Sequence, residues 1–186
     1  MRVTVRRKKW RETVNEKLGE ALQSVYELTE ADKPEFNRYS DARKIAKGCV
    51  GAARGVYMVT ETLVRLNYKP WPWREAWEDR LTAPELALWR NMRQVRTETQ
   101  HGEGGGLVQH MIKITRGPGA STISPSYVAL GLVPPAEGTN PHKGGVRFEA
   151  YPDRLASDVA REYVTLCQKF ADDFEGDHAT LFGAKP

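Results

Sequence analysis

Arg96 and His101 stand five residues apart in "RTETQHG", with Arg93 one turn earlier and the glycines of "GEGGG" directly after. An imidazole titrates near neutrality, so it can take a proton from a 2′-hydroxyl or return one to a leaving oxygen. A guanidinium stays charged and offers a planar fork of donors that suits a phosphate. Together these groups are the parts needed to cleave an RNA phosphodiester without a metal: His101 for proton transfer, Arg96 for the charged phosphorane. Products of that chemistry end in 2′,3′-cyclic phosphates. The same residues have a plainer reading. A His-Gly pair where a helix stops is a good C-terminal cap, and Arg90, Arg93 and Arg96 then form a solvated face. On a regular helix Arg96 and His101 point about 140° apart. One phosphate meets both only through arginine's length, unwinding at Gly102, or a second subunit.

The elements that must position this pair are helical. Leu81, Leu88, Met92, Val95 and Thr99 fall on one narrow stripe, which predicts a helix from Thr82 or Ala83 to His101 with Pro84 in its first turn. Arg90, Arg93, Thr97 and His101 gather on the opposite side. Upstream, Trp10, Val14, Leu18, Ala21, Val25 and Leu28 predict a helix over about 10–29, ending before Pro34. Ile45, Cys49, Ala52, Val56 and Leu63 predict another over about 40–67, with Ser40 as its N-cap. Gly48, Gly51 and Gly55 within it imply a backbone packed tightly against a neighbour, because glycine disfavours a helix interior. Trp71, Trp73 and Trp77 sit among prolines, where they read as a plug on the end of a bundle; base stacking is the alternative. Leu155, Val159, Tyr163, Leu166, Phe170 and Phe174 predict a last helix over about 153–175.

Between "GEGGG" and that helix the period changes. "LVQHMIKIT", "SYVALGLV" and "GVRFEAY" are short, β-branched or aromatic, and separated by Gly/Pro segments. The expected fold class is therefore mainly α: four main helices in a bundle, with a small antiparallel β insertion at about 106–152 before the last one. One domain over residues 1–186 accommodates this, preceded by a basic arm over 1–11.

Composition narrows the classes further. The chain carries a formal charge of +4, and the excess is concentrated in "MRVTVRRKKWR". Such a run is a solvated arm or a nucleic-acid contact, which makes Arg6, Arg7, Lys8 and Lys9 candidates for holding an RNA backbone beside Arg90 and Arg93. Cys49 and Cys167 read as reduced core thiols, and the four histidines are scattered, so no metal or other cofactor is expected. "GEGGG" lacks the lysine and hydroxyl of a nucleotide-binding loop and reads as a hinge. No apolar run approaches a membrane span, and the basic N-terminus lacks the apolar segment of a secretory signal, so a cytoplasmic protein is expected.

"LWRNMRQVRTETQHG" resembles the third helix of the HEPN superfamily, whose motif is an arginine followed, after four to six residues, by a histidine and often a glycine. The resemblance covers about fifteen residues plus the number and order of the helices. It implies a four-helix bundle and a metal-independent endoribonuclease of the kind found in toxin–antitoxin and phage-defence systems. It also implies a homodimer whose two motifs line one groove, RNA as substrate, and an antitoxin or other protein partner. Where members carry Asn, Asp or His after the arginine, this chain has Thr97, so Thr97 and Glu98 are the candidates for orienting the site. Other members only bind RNA or a partner protein, and a non-catalytic binding or assembly module is the alternative.

Overall fold

Apolar side chains recurring every three or four residues set the first helix. Trp10, Val14, Leu18, Ala21, Val25 and Leu28 are all buried along α1, Val3–Ala31. The computed structural model of the chain describes residues 3–32, 39–67, 72–100, 132–133, 147–148, 150–151 and 153–183. The helix begins well before residue 10, which corrects the expected arm: the basic segment forms the first turns of α1. Electrostatics explains the extension. Arg7 and Arg11 lie one turn apart on the same side and meet acids of the last helix, Arg7 to Glu175 at 2.8 Å and Arg11 to Asp172 at 2.7 Å.

The second helix, α2 (Tyr39–Asn67), runs antiparallel to α1. Trp10 donates to the Thr60 hydroxyl at 3.2 Å, and the Cys49 thiol donates to the Ala21 carbonyl at 3.4 Å. The range of this helix includes Ser40, which the sequence placed at its N-cap. Its buried surface is wider than the sequence stripe, adding Ala46, Val50, Ala53, Tyr57, Thr60 and Val64, because α1, α4 and α5 all pack against it.

Only one of its glycines is tightly enclosed. A Cβ on Gly55 would stand 3.0 Å from the Lys17 side chain of α1, whereas one on Gly51 would meet nothing within 4 Å. Gly51→Ala is therefore expected to stabilise the fold by about 0.5–1 kcal/mol, by reducing the freedom of the unfolded chain. Urea unfolding reads this directly, and a lower midpoint for the variant is incompatible with an open position.

A short helix, α3 (Trp73–Glu78), occupies the tryptophan-rich segment. Trp77 is fully buried against Trp89 and Phe170, at ring separations of 4.9 and 5.0 Å. Trp73 is half-buried against Phe174 and donates to Asp177 at 2.7 Å. A ring as enclosed as Trp77 packs the core and does not stack bases. Trp71 lies outside the described residues.

The remaining helices are α4 (Ala83–Gln100) and α5 (Ala156–Asp177), followed by a single 3-10 turn at Ala179–Phe182. Helix α5 buries the expected Val159, Tyr163, Leu166, Phe170 and Phe174. It runs antiparallel to α1: Arg7 meets Glu175 at one end, and the Ser157 hydroxyl donates to the Asp32 carboxylate at the other. It is antiparallel to α4 as well, with Glu85 beside Lys169 at 2.8 Å.

The class is thus mainly α. Of the expected strands, the described residues contain β1 (Leu132–Val133) and β2 (Arg147–Phe148), paired antiparallel with Leu132 opposite Phe148 and Val133 opposite Arg147. "LVQHMIKIT" lies outside the described residues. No described helix is long and apolar enough to cross a membrane.

Candidate functional site

Helix α4 presents the candidate residues, and its start is well anchored. The Thr82 backbone N–H and hydroxyl both donate to the Glu85 carboxylate at 2.8 Å, and the Glu85 N–H turns back toward the Thr82 hydroxyl. This reciprocal cap satisfies donors that a helix start leaves open. The Lys169 ammonium and the two Thr82 donors together hold the Glu85 carboxyl down, at about 2.

A carboxyl with a depressed folded pKa contributes stability above its unfolded value, near 4.3, and loses it as pH falls through about 2. Glu85→Gln is accordingly expected to be less stable than wild type at pH 7, with the difference fading between about pH 4.5 and 2. Urea midpoints measured across that range test it, and a gap independent of pH would contradict the linkage.

Downstream of the cap, Leu88, Trp89, Met92 and Val95 are buried, and Arg90 and Arg93 face outward. Trp89 widens the core face beyond the stripe seen in the sequence. Arg90 lies 3.8 Å from Glu78, a carboxylate that also accepts from the Trp89 indole at 3.3 Å and sits 3.7 Å from Arg74. Asn91 donates to the Tyr151 hydroxyl at 3.2 Å, tying α4 to the segment after β2.

Arg96 belongs to the last turns of α4, which ends at Gln100. The side chains of Arg96, Thr97 and Glu98, and the whole of His101, lie outside the described residues. Of the other histidines, His178 closes α5: its ring stacks on Phe174 at 4.4 Å, and its Nδ1 is 3.1 Å from the Phe174 carbonyl. Burial holds its pKa below the usual value. His110 and His142 lie outside the described residues, among which no group of three or more His, Cys, Asp or Glu is placed to hold a metal.

The basic residues of α1 do not join those of α4. Glu85 sits beside Lys169 and Asn91 meets Tyr151, ahead of α5, so α4 runs toward the N-terminal end of α5. Arg7 meets Glu175 at the far end of the same helix. Arg7 is moreover engaged with Glu175, and Lys8 lies 3.8 Å from Glu12, while Lys9 is exposed. The side chain of Arg6 lies outside the described residues.

Behind Trp89 is a charged residue that the sequence reading missed. Arg54 on α2 is only 3% exposed, with its guanidinium 3.8 Å from the Tyr57 ring centroid and 4.9 Å from that of Trp89. Its Nε and Nη1 make no hydrogen bond, and no ion pair to it forms among the described residues. The Tyr163 hydroxyl faces this guanidinium and the Cys167 thiol, yet makes no hydrogen bond of ordinary geometry. Burial pushes the Tyr163 phenol well above its usual value and the Cys167 thiol up to about 12, so neither supplies a negative charge. Cys49 and Cys167 are both free and buried.

A signal for Arg54 was present. It follows Val50 by four residues and precedes Tyr57 by three, on a face that continues through Thr60 and Val64. The small residues around it, "GAARGVY", disguised that face.

Compared with protein-family models, curated proteins and solved structures, the chain matches none of them.

Proposed function

We propose that the chain is a HEPN-like four-helix bundle with a β insertion, and that it cleaves RNA without a metal as a homodimer. The observation that carries this reading is the position of Arg96 at the C-terminal end of α4, with His101 immediately beyond it. Among the described residues two long helices precede α4 and one follows it, the order that the resemblance implies. Arg93, exposed one turn before Arg96, adds charge for the phosphate backbone on the same helix.

In this reading His101 moves the protons, Arg96 stabilises the phosphorane, and Thr97 and Glu98 orient the substrate or the imidazole. Two copies of α4 facing one another bring both motifs to one groove and relieve the divergence of Arg96 and His101 on a single helix. The setting is a toxin–antitoxin or phage-defence system in the cytoplasm, with an antitoxin or other protein partner.

The test is incubation of the purified protein with end-labelled RNA in EDTA, followed by analysis of the product ends. Cleavage that leaves 2′,3′-cyclic phosphates supports the reading. RNA retention without cleavage points instead to a non-catalytic binding module.

A further inference from the structure

Arg54 has no role in the chemistry assigned to α4, and its burial demands a physical reason. A guanidinium taken out of water without a counter-charge is strongly disfavoured. Cation–π contact with Tyr57 and Trp89 offsets part of that cost but gives the N–H groups nothing to donate to.

The surroundings are one-sided in their chemistry. Arg54 contributes a fixed positive charge with Nε and Nη1 unbonded, the Tyr163 hydroxyl beside it also makes no hydrogen bond of ordinary geometry, and Cys167 keeps its proton. On the Tyr57 side, Glu61 accepts from the Tyr57 hydroxyl at 3.3 Å, while Arg74 donates to that hydroxyl at 3.2 Å. Donors are thus in excess at the junction of α2, α4 and α5, and among the described residues no acceptor meets the Arg54 Nε and Nη1 in ordinary hydrogen-bond geometry. A hydrophobic side chain of similar volume would pack there without that cost.

We propose that the cluster of Arg54, Tyr163 and Cys167, walled by Tyr57 and Trp89, is an internal receptor for a small oxyanion of the phosphate type. An oxyanion is an acceptor on every oxygen and carries the charge that Arg54 lacks. Arg54 binds it through charge-assisted N–H donors, and Tyr163 adds an O–H donor. The donors are closed off from solvent, so entry requires one aromatic wall to give way. Trp89 lies on α4, so occupancy acts on the helix that also carries Arg96. The receptor itself rests only on described residues and stands independently of the nuclease reading.

The experiment is thermal unfolding in inorganic phosphate against chloride at constant ionic strength. Wild type is expected to gain about 3–6 °C at ten times the dissociation constant, in a saturable manner. Arg54→Met is expected to show less than half of that gain, and Tyr163→Phe, which keeps the ring and removes one donor, a reduced gain. Arg96→Ala is expected to keep at least half of it. The proposal is overturned if wild type shows no phosphate-specific gain or if Arg54→Met retains half of it or more. It is equally overturned if Arg96→Ala keeps less than half of the gain, since the anion then belongs to α4. Should Arg54→Met fail to fold, Tyr163→Phe with an undiminished gain overturns it.

Discussion

His101→Ala is expected to lower RNA cleavage by about 10²–10⁴-fold, the range that a positioned proton-transfer group contributes. Arg96→Ala is expected to cost about 10²–10³-fold by removing the charge that meets the phosphorane. The double variant should lose little more than the worse single one, because two groups serving one transition state do not add. Single-turnover rates on a labelled RNA, with EDTA present throughout, give all three values. Urea midpoints of both variants separate a loss of chemistry from a loss of folding. A His101→Ala protein cutting at the wild-type rate would remove the nuclease reading altogether.

The geometry adds a contrast that composition alone does not make. Arg7 is paired with Glu175 at the C-terminal end of α5, whereas α4 runs toward its N-terminal end. Arg7→Ala should therefore leave the chemical step untouched, whereas Arg93→Ala, on the motif's own helix, should weaken RNA binding and flatten its salt dependence.

Trp89→Ala should be the most damaging change to the fold, at about 3–5 kcal/mol. The indole is 1% exposed and packs against Trp77 at 4.9 Å, Phe170 at 5.3 Å, Tyr57 at 6.1 Å and Tyr163 at 6.2 Å. It also donates to Glu78 and covers the Arg54 guanidinium. Its removal opens a large cavity and strips a buried cation of one of its two ring faces. Natural domains hold only about 5–15 kcal/mol in reserve, so the variant should sit near its melting point under growth conditions. Trp89→Phe keeps a ring in the same place and should recover a large part of the loss. Urea unfolding followed by circular dichroism measures both, and a cost below about 1 kcal/mol for the alanine variant would mean that the core closes without Trp89.

The helices were legible before any coordinates because their information is local. Apolar spacing marked the buried positions of α1 and α5, and Pro84 just after Thr82 and Ala83 marked the start of α4, since both signals depend on residues within a turn or two. The motif on α4 was legible as a pattern on the same grounds.

Three things were decided only by packing. The basic run became helix because Glu175 and Asp172, more than 160 residues away, lie against it. It also fell at the C-terminal end of α5, whereas α4 runs toward the N-terminal end, since the direction of each helix is a property of how they pack and leaves no trace in the spacing along one of them. Arg54 went into the core because α4 and α5 close over a face of α2 that looks mixed in isolation. A side chain's exposure is set by what arrives from elsewhere in the chain, and neither hydropathy nor period encodes that arrival.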